Sequence, residues 1–174
     1  ILFYNILDKD IYKYLKNLQD KTYLGYDTPY ISLNNLKITT DKLVSLLDFD
    51  KIDRAFNLNN IKSILEIGAG SGRTSEAILS IKDNISYVIC DIPPAIYISF
   101  KRMKSAYPDK AIEYLVDIQN KDQLNKKIKK NDISFIYPHQ MELISKDAFD
   151  LTIAIDCFHE MDKKTIAHYF KNIN

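Results

Sequence analysis

Apolar side chains at Ile6, Leu7, Ile11, Tyr14, Leu15 and Leu18 recur at helical spacing and predict an amphipathic helix near the start of the chain. Residues 25–35, GYDTPYISLNN, break that pattern with Gly, Pro and Asn. TTDKLVSLLDF then predicts a second helix, with Thr39 or Thr40 as its N-cap. A third, short helix is expected over residues 53–58. From Ile61 the periodicity changes. SILEI (63–67) and ISYVICD (85–91) are short apolar runs rich in β-branched residues, which predict buried strands. ISFIY (133–137) and FDLTIAID (149–156) read the same way, whereas AIEYLVD (111–117) is ambiguous between a short strand and a loop. Helical stretches fall between and after them: residues 73–82, 93–107, 121–130 and KKTIAHYFKNI (163–173). Pro94 suits the first turn of the second of these, where no backbone donor is needed. Strands alternating with helices predict an α/β fold: a doubly wound, mainly parallel sheet over residues 61–174, preceded by a helical segment or lid over residues 1–60. Such sheets bind ligands beyond the carboxyl ends of their strands.

ILEIGAGSGR (64–73) holds three of the four glycines of the chain, Gly68, Gly70 and Gly72, so the demand for a bare backbone is local. A tight turn from strand to helix would need one. Three at the end of a predicted strand and the start of a predicted helix point to a ligand loop, where a ligand approaches main chain and helix N-terminal N–H groups. The spacing is G-x-G-x-G with Arg73 following, not the dinucleotide G-x-G-x-x-G, and no Lys-Ser or Lys-Thr follows, which excludes a P-loop. The second strand ends in Asp91, 19 residues after Gly72. An acidic residue there accepts hydrogen bonds from ribose hydroxyls. Its alternative use is as an N-cap, which the two prolines that follow make less natural. Ile92 would then lie against a purine face.

Composition narrows the class. The chain has 174 residues, enough for one domain of ordinary size, and 46% hydrophobic with 27% charged residues fits a globular protein. The net charge of +1 gives no electrostatic case for nucleic acid or an acidic membrane surface. No apolar run reaches the roughly 20 residues of a membrane span, and the first residues lack the basic start of a signal peptide, so a cytoplasmic protein is expected. Cys90 and Cys157 lie in apolar runs and read as reduced core residues. No His, Cys, Asp or Glu set has metal-ligand spacing, so no metal is expected. The lysines around residues 125–130 read as a solvated helix face.

ILEIGAGSG followed by YVICDIPP resembles the first motif and the acidic second motif of class I S-adenosylmethionine-dependent methyltransferases. AFDLTIAIDCFHEM resembles their fourth strand and the motif after it. DIPPAIYIS and CFHEMDKKTIAHYF resemble, more narrowly, a bacterial group of sugar O-methyltransferases. The resemblance covers residues 61–174 and implies a Rossmann-like sheet with strand order 3-2-1-4-5-7-6, of which only the first four strands are identified. It implies S-adenosylmethionine as cofactor, with Glu66, Gly68, Ala69, Gly70 and Gly72 around its methionine part and Asp91 on the ribose. It further places Gln140 and Met141 near the adenine and Asp156 near the reactive end. Glu66 has a plainer use as a strand-end polar residue satisfied by backbone.

Methyl transfer from a sulfonium is a direct displacement, so the protein has to align donor and acceptor and take up a proton. DCFHEMD offers His159 first, because an unperturbed imidazole changes charge near neutrality, and Glu160; both have an alternative use in capping the next helix. His139 falls in the presumed adenine loop and His168 on a helix. The expected activity is O-methylation of a sugar or another small-molecule hydroxyl. Tyr23, Tyr26 and Tyr30 are candidates to line the acceptor pocket. An NAD(P)-dependent oxidoreductase and a non-catalytic cofactor-binding subunit are the alternatives. The chain begins with Ile rather than Met, and the missing strands would leave the fourth strand with an open edge. We therefore expect a piece of a longer protein, with a missing C-terminal segment or a partner over that edge.

Overall fold

The computed structural model describes residues 14, 30–33 and 36–173. Most of the helix predicted over residues 6–18, and both Tyr23 and Tyr26, lie outside them. The structure divides into two compact units, one made of the described residues before Ile61 together with Arg73–Asp83, the other of Ile61–Gly72 with Asn84–Asn174.

The first unit departs from the all-helical expectation. Tyr30–Leu33 (β1) and Leu36–Thr39 (β2) form an antiparallel hairpin, Tyr30 opposite Thr39 and Leu33 opposite Leu36. The β-branched Ile31, Ile38 and Thr39 favour pairing. Helix α1 (Thr40–Phe56) starts where expected, with the Thr39 hydroxyl accepting from Lys42 N at 3.3 Å. It runs on through residues 53–56, where a separate helix was expected, because no Gly or Pro interrupts it. Asn57, at φ +50°, ends it, and Leu58–Asn60 form a single 3-10 turn. Helix α2 (Arg73–Ile81) is tied to α1 by a buried Lys42–Glu76 ion pair at 2.9 Å and by Arg73 on Asp48 at 2.8 Å. Arg73, which stands where a dinucleotide loop has glycine, is thus a structural tie.

The second unit is the sheet, with strands β3 (Ser63–Ile67), β4 (Ser86–Cys90), β5 (Ile112–Tyr114), β6 (Ile133–Ile136) and β7 (Leu151–Ala154). All pairings are parallel, in the order β5-β6-β4-β3-β7. The ambiguous AIEYLVD resolves as β5, three residues long, on the outer edge beside β6. Without it, the order of the four predicted strands is 3-2-1-4. Among the described strands β7 pairs with β3 alone.

Alternation sends each strand's side chains to opposite faces. One face, with Leu65, Ile67, Val88, Cys90 and Ile136, packs against Leu124 and Ile128 of α4 (Lys121–Lys130) and Tyr169 of α5 (Lys163–Ile173). Burying an aliphatic side chain of this size contributes about 1.5–3 kcal/mol, so Leu124 and Ile128 hold the lysine-rich α4 in place. The other face carries Phe135, against which Phe100 of α3 (Ala95–Ala106) packs edge-on at 5.3 Å. Helices therefore cover both faces, and the strand ends are left to loops.

At the amino ends Asp150 holds β3 and β7 in register. Its Oδ2 accepts from Lys62 N at 2.8 Å, Ser63 N at 2.9 Å and Ser63 Oγ at 3.1 Å. These bonds, led by the one from Lys62 N, hold its carboxyl below the usual range. A depressed carboxyl contributes stability that is present above its unfolded pKa and lost as pH falls through its folded one. Asp150→Ala should cost about 1 kcal/mol at pH 7, at the low end because the site is exposed. The gap between mutant and wild type should narrow as pH falls below the ordinary aspartate value near 3.9, which urea melts at pH 7 and in acid would show.

Candidate functional site

The parallel register brings the carboxyl ends of the neighbouring strands β4, β3 and β7 to one level. Gly68 N donates to Cys90 O at 2.9 Å, which carries the β3–β4 ladder one step past the strand. The chain then turns, closed by Gly72 N on Ala69 O at 2.9 Å. Gly68 and Gly70 stand at φ +68° and +57°, where side chains are disfavoured, but for different reasons. A Cβ on Gly68 would come within 2.5 Å of Cys157 Cβ, so the residue is demanded by packing. A Cβ on Gly70 would meet nothing within 4 Å. The backbone at Gly70 is bare towards open space, as a surface for a ligand has to be.

Asp91 follows β4 directly, beside this loop, and is almost buried. Its Oδ2 accepts from Gly70 N and its Oδ1 from Ile92 N, each at 2.7 Å. Its own N–H reaches Ile136 O at 3.3 Å. Burial raises the carboxyl's pKa, and the two N–H donors oppose the rise without cancelling it. The carboxylate caps no helix: its partners are the glycine loop and its own neighbour. Each oxygen still has a lone pair for a further donor. Ile92 follows with its side chain well exposed, an apolar platform beside that carboxylate.

From β7 the chain passes Asp156, exposed at φ +51°, a strained position for a non-glycine residue of the kind found at functional sites. Cys157 then turns inward under Gly68, its thiol donating to Ile67 O at 3.3 Å. Burial pushes this thiol up, as it does that of Cys90; both are free and neither is poised as a nucleophile. His159 and Glu160 follow on a 3-10 turn (Phe158–Glu160), both largely exposed, with Nε2 and Oε1 3.7 Å apart.

Other expected site residues stand elsewhere. Glu66 is buried within the sheet, where Tyr87 donates its hydroxyl to Oε2 at 2.9 Å. Burial and the Glu66 carboxylate raise the Tyr87 pKa. Glu66 thus serves as an internal tie to a side chain of β4. Gln140 and Met141, expected at the adenine, are fully buried. Gln140 accepts from Tyr137 N at 2.7 Å and donates to Leu115 O at 2.7 Å, so its amide is satisfied inside the fold and is not offered to a ligand. Met141 belongs to the core cluster around α4. Sequence spacing places both on the correct loop but does not show which way they point. His139 stacks on Tyr137, and His168 lies between Pro138 O at 3.4 Å and Glu142 at 3.7 Å. Among the described residues no group of three or more His, Cys, Asp and Glu is arranged to hold a metal, and no helix is long and apolar enough to cross a membrane.

No family model and no curated protein matches the chain. Solved structures do. A candidate caffeoyl-CoA O-methyltransferase from Staphylococcus aureus is 20% identical, with a TM-score of 0.47 over 74% of this chain and 53% of its own. Human N-acetylserotonin methyltransferase, solved with S-adenosylmethionine, is 15% identical, with a TM-score of 0.44 over 75% and 31%. PigF, solved with S-adenosylhomocysteine, is 14% identical, with a TM-score of 0.44 over 94% and 45%. The chain thus spans about half or less of each of these proteins.

The two glycines should respond differently to one methyl group. Gly70→Ala should cost about 1–2 kcal/mol, the left-handed backbone alone. Gly68→Ala adds an overpacking cost of about 1–3 kcal/mol against Cys157. Thermal melts of both variants should place Gly68→Ala clearly lower, and a further Cys157→Gly change, which removes the clashing Cβ, should recover part of the loss only there.

Proposed function

We propose that the chain carries the cofactor site of a class I S-adenosylmethionine-dependent methyltransferase, acting on a hydroxyl of a sugar or another small molecule. One observation carries the reading: at adjoining carboxyl ends of central parallel strands, a bare glycine backbone faces open space and a carboxylate with spare acceptor capacity stands beside it. An adenosyl amino acid needs both. Its ribose hydroxyls require an acceptor, supplied by Asp91, and its amino-acid part requires close approach to main chain, allowed at Gly70. Ile92 supplies an apolar face for the base. Ala69 and Gly72 shape the turn. When bound, S-adenosylmethionine supplies an electrophilic methyl group. Asp156, His159 and Glu160 sit on the segment that leaves β7 next to the loop. His159 is our choice to take the acceptor's proton, with Glu160 beside it. The resemblance of DIPPAIYIS and CFHEM to sugar O-methyltransferases supports the acceptor class. The spacing of the glycines, and Arg73 serving as a tie to Asp48, favour this cofactor over a dinucleotide.

Calorimetry with S-adenosylhomocysteine tests the reading. Wild-type protein should bind it, and Asp91→Ala should weaken binding at least ~10-fold, the scale of losing a charged hydrogen-bond acceptor. Only the ionised carboxylate accepts from both hydroxyls. Affinity should therefore fall as pH drops through the raised pKa of Asp91, at a higher pH than an ordinary aspartate near 3.9 would give. Asp91→Asn should flatten that profile. Folded protein that ignores S-adenosylhomocysteine but binds NAD or NADP would replace this reading with the oxidoreductase one.

A further inference from the structure

The glycine loop is held from a second side. Arg102, two turns into α3, is almost fully buried although it carries a charge. Its Nη1 donates to Ser71 O at 3.1 Å and to Ser71 Oγ at 3.0 Å. Ser71 itself is exposed, at the tip of the loop between Gly70 and Gly72. Asp91, just past β4, and Arg102, on the helix that follows, thus grip neighbouring residues with opposite polarity. Asp91 accepts from the amide of Gly70, and Arg102 donates to the carbonyl and hydroxyl of Ser71. A loop with glycines at positive φ loses more conformational freedom on ordering than other segments, and a ligand that had to order it would bind more weakly by that amount. Burying a guanidinium is costly unless it is well bonded, so its place under an exposed loop points to a task there.

We propose that Arg102 is a positioning residue for the glycine loop: it pins Ser71, which keeps the Gly70 amide on Asp91 and the bare backbone in its open form before the cofactor arrives. The inference rests on the cofactor reading above for its consequence in binding, but the pinning itself is a property of the unliganded loop. Both bonds leave one nitrogen, Nη1, whose two N–H groups point in directions fixed by the guanidinium plane, whereas the ammonium of lysine turns on a flexible stem and holds two acceptors less firmly.

Hydrogen exchange of the loop, read beside calorimetry with S-adenosylhomocysteine, separates the two. In Arg102→Met the amides of residues 69–72 should exchange about tenfold faster or more, and affinity should fall about tenfold, the scale of a lost charged hydrogen bond. Amides of β6 and β7 should keep their wild-type protection. Arg102→Lys should restore part of both losses. Ser71→Ala, an exposed change that leaves the carbonyl bond, should give about a threefold effect in the same direction. Wild-type loop exchange in Arg102→Met and Ser71→Ala would overturn the proposal, as would a loss of protection spread equally over β6 and β7. If Arg102→Met does not fold, Arg102→Lys and Ser71→Ala decide: faster exchange confined to the loop supports pinning, and unchanged exchange refutes it. Wild-type protein that binds no S-adenosylhomocysteine would defeat the cofactor reading, while exchange in the unliganded loop would still decide the role of Arg102.

Discussion

The carboxylate of Asp91 joins two peptide segments that the sequence keeps 21 residues apart. One oxygen takes the amide of Gly70, the other the amide of Ile92, both at 2.7 Å. This converts two strand ends into one surface. The raised pKa of Asp91 records what the arrangement costs, since burial disfavours the charge that the amides then partly stabilise. A buried carboxylate kept charged by backbone donors is suited to accepting further hydrogen bonds from a neutral polyol, because the acceptor is already oriented and partly desolvated.

The sheet makes this contact available. Parallel pairing of β3 with β4 and β7 sets Ile67 beside Cys90 and Ala154, so the residues that follow each strand meet at one level. Cys157 fills the space under Gly68 and leaves none for a side chain, while Gly70, two residues on, faces open space. One glycine is thus required by the fold and the other by the surface it presents. Tyr87 and Glu66 serve a similar end deeper down, where a hydrogen bond between β4 and β3 satisfies two polar groups that would otherwise be costly to bury.

Much of this was legible in the chain. Apolar β-branched runs located the four longer strands, and the shortage of glycine elsewhere singled out the loop. Helices 121–130 and 163–173 were read with the bounds they have. Position along the chain, however, does not give direction. Gln140 was placed on the loop after β6 and stands there, but its amide points inward to Leu115 and Tyr137. The hairpin at residues 30–39 escaped because its strands lie in a stretch rich in turn residues, where pairing partners decide the outcome. Arg102 and Cys157 carried no signal of their own. An arginine on an amphipathic helix and a cysteine in an apolar run acquire a role only when α3 and the segment after β7 come back to the loop.

The central claim is that Gly70 and Asp91 form one cofactor-binding surface. A crystal structure of the protein with S-adenosylhomocysteine tests it most directly. The account predicts both ribose hydroxyls on the Asp91 carboxylate and the amino-acid part in van der Waals contact with the main chain at Gly70. Ligand bound elsewhere on the protein, with the Asp91 carboxylate untouched, would contradict it.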